Sequence, residues 1–199
     1  MLFLKHRFPR RRGPQVPADS GSKIIDAALE LLRTKGPAGV TIEAVAAHSG
    51  VARTTIYRRY RNRDEMLTAA LVAVGTPPAI DEELSEEQRL RWVVRQAASM
   101  VSDGIGFGGM AALLTDADPA FTEVFRTALA KHRSDLAAVV DDGKRRGLVG
   151  PTVDPDTLID GIVGTLVAEK ARSGRVSDDW EDRVVEMYAP IVLVRSKRE

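Results

Sequence analysis

Residues 41–67 read TIEAVAAHSGVARTTIYRRYRNRDEML. The first part has helical periodicity, with Ile42, Val45 and Ala46 on one face, and Thr41 stands where a hydroxyl caps a helix start. Gly50 suits a left-handed helix end, which glycine adopts at little cost. A further helix begins near Ala52. Helix, glycine corner, helix is the outline of a helix-turn-helix unit, and Ile42, Val45, Val51 and Ile56 supply a small shared core for it. On a helix that starts at Ala52, Ala52 and Ile56 share one side. Thr54 and Arg58 lie opposite, flanked by Arg53 and Tyr57, with Thr55 between. Hydroxyls, a phenol and guanidiniums are groups that hydrogen-bond base edges and phosphates in a major groove. A solvated basic helix face is the alternative reading of the same residues.

The charge of the whole chain favours the first reading. Net charge is only +1 over 199 residues. Residues 1–63 nevertheless carry 13 Lys and Arg against 4 Asp and Glu, and the other 136 carry 16 against 24. A basic front on an acidic body is the asymmetry expected when one end meets a polyanion. Upstream, residues 1–19 hold Pro9, Pro14, Pro17, Gly13 and the run Arg10, Arg11, Arg12. Such a segment reads as a basic arm suited to a minor groove or phosphate backbone. There is no cysteine, which excludes disulfides, zinc–thiolate sites and a cysteine nucleophile, and fits a reducing cytoplasm. No apolar run approaches bilayer-spanning length, and MLFLKHRFPRRRG makes a poor signal peptide.

Outward from the opening stretch the pattern stays helical. Ser20 or Ser22 can cap a first helix carrying Ile24, Ile25, Ala28, Leu29 and Leu32 inward, and Gly36-Pro37 stops it. A fourth helix runs from about Arg63 to Val74. Gly75-Thr76-Pro77-Pro78 is the clearest break and marks a domain boundary. Beyond it come a long helix over 82–102, a glycine cluster at 104–109 read as a flexible connection or a gate, and a short helix over 110–114. Asp118-Pro119 opens a helix to about Arg146, Asp154-Pro155 opens another, and a last one covers about 179–195. No strand alternation or internal repeat is present. The expectation is an all-α chain of about nine helices, divided into an arm (1–19), a DNA-binding head (20–75) and a larger helical body (76–199).

The opening stretch resembles the DNA-binding domain of the TetR family of bacterial transcriptional regulators. Thr41, Ala46, Gly50, Val51, Ile56, Tyr57, Tyr60, Arg63, Asp64, Met66 and Leu67 fill that family's pattern in order. The likeness covers about residues 20–70; the remainder matches in helix count and length. It implies that Thr41 and Tyr57 contact phosphates, that Arg63 takes a lysine's charge-neutralising place, and that Arg53, Thr54 and Arg58 face bases. Three positions depart from the pattern: Ala52 replaces a capping serine, Thr54 adds a hydroxyl where Gly or Ala is usual, and Tyr60 replaces a phenylalanine that packs between helices one and four.

The resemblance further implies a homodimer that sets two recognition helices about 34 Å apart on a palindromic operator, dimerised through its last two long helices. Gly161, Gly164 and Thr165 are small residues in an otherwise apolar helix, where each glycine costs about 1 kcal/mol against alanine. Close approach of a partner's helix offsets that, as does packing within the subunit. Val184, Met187 and Ile191 complete the candidate interface. A small effector would be enclosed by the body, with Trp92, Met100, Phe107, Met110, Phe121 and Phe125 as candidate lining. No cofactor or metal is expected. An enzyme is the rival class, but His6, His48 and His132 form no Ser–His–Asp arrangement or metal-ligand spacing, and no phosphate loop is present. An architectural DNA binder without ligand control is a third reading. The expected function is a cytoplasmic, ligand-responsive repressor with no membrane partner. Deleting residues 1–19 should lower affinity for duplex DNA and flatten its salt dependence; titrations at several salt concentrations check this, and an unchanged slope would show the arm to be passive.

Overall fold

The computed structural model describes residues 19–194. Among these residues the chain forms nine α-helices: α1 Ser20–Lys35, α2 Ile42–Ser49, α3 Arg53–Arg59, α4 Arg63–Val74, α5 Glu86–Ser99, α6 Gly106–Thr115, α7 Pro119–Arg145, α8 Pro155–Ser173 and α9 Trp180–Val192. A π-helical segment, Met100–Ile105, joins α5 to α6; counted as one run, the helices number eight. No strand occurs among the described residues, only an isolated antiparallel bridge between Val149 and Leu193. The all-α expectation holds.

Local chemistry sets most of the boundaries. Thr41, Asn62, Asp118 and Asp154 each accept a hydrogen bond from the backbone N–H three residues on, the N-cap arrangement that satisfies an orphan helix donor. Proline follows the cap in α7 and α8, where its missing N–H costs nothing. Several expected boundaries are corrected. Neither Ser20 nor Ser22 caps α1: both lie inside it, and the Ser22 hydroxyl donates to the Asp19 carbonyl. The helix expected from 82 starts at Glu86, because Ser85 and Gln88 form a reciprocal capping box. The last helix ends at Val192, since the chain then extends along 148–150, with Gly150 N–H donating to Val192 O and Val194 N–H to Leu148 O. Residue 195 lies outside the described residues.

The glycine cluster is not a loose connection. The chain passes from the π segment into α6 through a sharp corner at Gly106, with φ +68°, a region that favours glycine. A Cβ at Gly106 would sit 2.8 Å from the Arg33 Cα of α1, so the corner presses directly on the first helix. The run Glu86–Thr115 is, by length and composition, long and apolar enough to cross a membrane, contrary to the expectation that none approaches that length. Here it is bent at Gly106 and contributes Leu90, Val93, Val94, Met100 and Ile105 to the protein's own core.

Two hydrophobic clusters organise the packing. The first joins Ile24, Leu32, Val45, Ile56, Met66 and Leu71 of α1–α4 with Met100 and Ile105 of the π segment and Phe121 and Phe125 of α7. The second joins α5, α7, α8 and α9 through Val93, Leu136, Ile162, Leu166, Trp180 and Val184 among others. Polar ties reinforce both. Buried His132 places Nδ1 3.1 Å from the Gly75 carbonyl and Nε2 3.1 Å from that of Gln96, holding the end of α4 to α5 and α7.

Between α8 and α9, buried Glu169 accepts hydrogen bonds from the Ser177 hydroxyl (2.6 Å), the Ser177 N–H (3.0 Å) and Arg183 (2.7 Å). These contacts, Ser177 first, hold its carboxyl at about 2, below the ordinary 4.5. A depressed carboxylate stabilises the fold above its unfolded value and loses that contribution as pH falls. The stability advantage of the wild type over Glu169→Gln should therefore be full above pH 4.5 and shrink as pH drops toward 2. Urea unfolding across that range checks the sign; a gap constant with pH would contradict it.

Candidate nucleic-acid interface

The helix-turn-helix unit is built on Gly50, whose left-handed conformation (φ 69°, ψ 8°) ends α2, and on Ser49, whose hydroxyl accepts from the Val51 N–H at 3.1 Å. The chain then enters α3 with no side-chain cap at Ala52, as the missing serine leads one to expect. Ile56 is completely buried and Tyr60 nearly so, so α3 is pinned by one face and by the residue that follows it. Tyr60 thus packs its ring as the family pattern implies.

The opposite face is open. Arg53, Thr54 and Arg58 are exposed, and Tyr57 is 52% exposed although large and aromatic. Arg53 and Arg58 make no hydrogen bond or ion pair among the described residues. Thr55 is half-buried, turned partly toward the core. At the start of α2 the Thr41 oxygen accepts from the Ala44 N–H at 3.1 Å, which leaves its hydroxyl hydrogen free to donate outward. The structure therefore brings Thr41, Arg53, Thr54, Tyr57 and Arg58 to one surface. Arg10, Arg11 and Arg12 lie outside the described residues.

Arg63 is placed differently from the expectation. Its side chain donates to the Val40 carbonyl (2.8 Å), the Pro37 carbonyl (2.7 Å), Asp118 (2.7 Å) and, more weakly, Asp64 (3.3 Å). A guanidinium has five N–H donors; four of these are committed inside the chain, and one remains for solvent or a phosphate. Asp118 meanwhile accepts from the Phe121 N–H with its other oxygen. Burial raises the Asp118 carboxyl's affinity for its proton, but the Phe121 N–H and Arg63 outweigh it and leave the pKa below the ordinary value. One guanidinium thus ties the turn before α2, the start of α4 and the cap of α7. Sequence reading missed this because the partner stands 55 positions away. It also missed Arg59, which pairs with Asp19 at 3.3 Å and so anchors the start of α1. Arg61, paired with Glu65 at 3.1 Å, keeps its side chain 89% exposed.

The other candidate residues divide. Met100, Phe121 and Phe125 are buried in the first core, packed against other side chains of the protein. Trp92 and Phe107 lie against the second, and Met110 touches both. The six are thus divided between the two packed clusters. Of the candidate dimer residues, Val184 is buried in its own subunit, and the space above Gly161 is taken by the Tyr188 hydroxyl; packing within the chain accounts for both. Gly164 has open space above it, Thr165 is half-buried, and Met187 and Ile191 are 47% and 68% exposed.

A helix-turn-helix head with an open basic face on an all-helical body defines a DNA-binding transcriptional regulator, and comparison with known proteins agrees. Residues 24–70 match the bacterial regulatory proteins of the tetR family, and residues 80–188 match the tetracyclin repressor-like C-terminal domain. The chain belongs to the TetR family. It is 25% identical over 162 residues to the HTH-type transcriptional regulator YdeS of Bacillus subtilis, covering 75% of this chain and 78% of that one. Its fold is similar to that of a transcriptional regulator from Saccharomonospora viridis in complex with choline (TM-score 0.62, 17% identity, 88% and 98% of the two chains). It is also similar to FadR of Bacillus subtilis in complex with stearoyl-CoA (TM-score 0.57, 18% identity, 83% and 95%).

Because Arg63 is committed internally, Arg63→Ala should lower the free energy of unfolding by about 2 kcal/mol, whereas Arg58→Ala should change it by less than about 0.5 kcal/mol. Urea denaturation of the two variants checks the contrast; equal, small effects would place Arg63 outward with the others.

Proposed function

We propose that the chain is a homodimeric repressor that reads a palindromic operator through α3. The observation that carries this is the open face of α3: two arginines, a threonine and a tyrosine, without side-chain partners among the described residues, on a helix fixed from behind by Ile56. Arg53, Thr54 and Arg58 reach base edges. Thr41 and Tyr57 hold phosphates, joined by Arg61 and by the last free donor of Arg63. Arg10, Arg11 and Arg12 add charge from the arm. Residues 20–75 act as the head and residues 76–199 as the body.

A seven-residue recognition helix makes a small interface, so affinity and site length depend on a second copy. Gly164, Thr165, Met187 and Ile191 lie on the exposed sides of α8 and α9 and form the proposed dimer contact; exposed apolar surface of this kind marks an interaction site. The body holds an effector, and its binding shifts the heads away from operator spacing only by favouring that arrangement over the bound one. Since choline and stearoyl-CoA accompany structures of this fold, the fold alone does not select an effector. A protein that reads chromosomal DNA works in the cytoplasm.

Arg58→Ala tests the assignment. It should reduce the preference for operator over random duplex by about 1–3 kcal/mol while leaving binding to random duplex nearly unchanged. Parallel fluorescence titrations measure both; equal losses on the two duplexes would remove Arg58 from the base-reading face.

A further inference from the structure

The body carries a basic cluster that DNA reading does not use. Arg89, in the first turn of α5, is 7% exposed. One of its terminal nitrogens, Nη2, stands 3.3 Å from Asp142 of α7, a long contact, while the other, Nη1, is buried with no hydrogen-bond partner among the described residues. Asp142 is shared: Arg145 lies 3.1 Å and Arg146 3.6 Å from it. Three guanidiniums therefore lean on one carboxylate. A guanidinium stays protonated in a protein, and a buried charged donor left without an acceptor is costly. The arrangement calls for another acceptor.

The surroundings say what kind. Arg89, Arg145, Arg146, Asp142 and Glu82 line an open groove of about 510 Å³ between the start of α5 and the end of α7, floored by Ile80, Ala138 and Val139. Its charges leave one excess positive, which a monoanion balances. Arg89 also borders a cleft of almost wholly apolar lining, including Leu90, Val93, Val140 and Leu158, with Glu86 and Arg89 as its charged members. That cleft holds a void of only about 30 Å³, the space of a single water. It admits a longer chain only by opening, so the groove itself takes the ligand.

We propose that this groove binds a small aliphatic monocarboxylate. The carboxylate draws the guanidinium of Arg89 from Asp142 toward the groove and so gives the buried Nη1 an acceptor, and the apolar body lies against Ile80, Ala138 and Val139. A carboxylate matches the fork of two parallel N–H donors, and a bare anion would leave the apolar floor unused. The inference rests on reading the body as an effector domain, and it names the chemistry of that effector.

The test uses the full-length protein without DNA. Calorimetric titration with hexanoate should show saturable binding, with hexanol and acetate each at least about tenfold weaker because one lacks the charge and the other the body. Arg89→Gln should weaken hexanoate at least about tenfold, and Asp142→Asn, which removes the competing carboxylate, should strengthen it. No hexanoate binding by the wild type, equal binding of hexanoate and hexanol, or hexanoate binding undiminished in Arg89→Gln would each overturn the proposal. Circular dichroism confirms that Arg89→Gln is folded; should it not be, the sign of the Asp142→Asn effect decides alone, and weaker binding there overturns the proposal. DNA binding by the wild type is scored separately. A protein that binds operator but not hexanoate loses this inference and keeps its proposed function, whereas hexanoate binding without operator binding does the reverse.

Discussion

The DNA-reading head does not close its own hydrophobic core. Four short helices place Ile24, Leu32, Ile56, Met66 and Leu71 inward, and the remaining volume is filled from outside the head by Met100, Ile105, Phe121 and Phe125. A segment of this size buries too little apolar surface by itself to offset its conformational entropy comfortably. The two large rings stack 6.0 Å apart, centroid to centroid, and each is almost completely buried. The position of α3 is consequently tied to α7 through packing, and a close-packed interior transmits displacement because it has little free volume to absorb it.

Polar contacts repeat the coupling at both ends of α4. At its start, Arg63 bridges Pro37, Val40 and Asp118; at its end, the Gly75 carbonyl meets His132. Both Asp118 and His132 belong to the body, as cap and buried face of α7 respectively. The corner at Gly106 adds a third point, set against Arg33 of α1, whose guanidinium in turn donates to the Asp103 carbonyl of the π segment. Head and body therefore meet through hydrophobic, charged and backbone contacts at once. A change inside the body has several physical routes to α3, and the head has few ways to move independently.

Much of this was legible in the sequence, for identifiable reasons. The caps Thr41, Asp118 and Asp154, the left-handed Gly50 and the inward set Ile42, Val45 and Ile56 act within a few residues, so spacing exposes them. The outward set on α3 follows from the same periodicity. What escaped depends on distant pairs. Arg63 looks like any other basic residue of its stretch until Asp118 folds beside it, and Gly161 looks like a helix-contact residue until Tyr188 covers it. The glycine cluster misled for a different reason. Four glycines in six residues suggest slack chain, yet Gly106 is there because Arg33 leaves no room for a side chain, and the flanking residues continue as helix. Spacing cannot separate a pocket lining from a core either, since Phe121 and Phe125 are as apolar in a packed joint as they would be around a ligand.

The dependence of head on body is open to one decisive measurement: the proton–nitrogen correlation spectrum of a fragment ending at Pro78. Without Met100, Ile105, Phe121 and Phe125 the fragment should give collapsed, poorly dispersed amide signals rather than those of a folded three-dimensional core. A well-dispersed spectrum, with the Ile56 and Tyr60 amides protected from exchange as in the whole protein, would mean that the head closes its own core and that the coupling described here is not a condition of its folding.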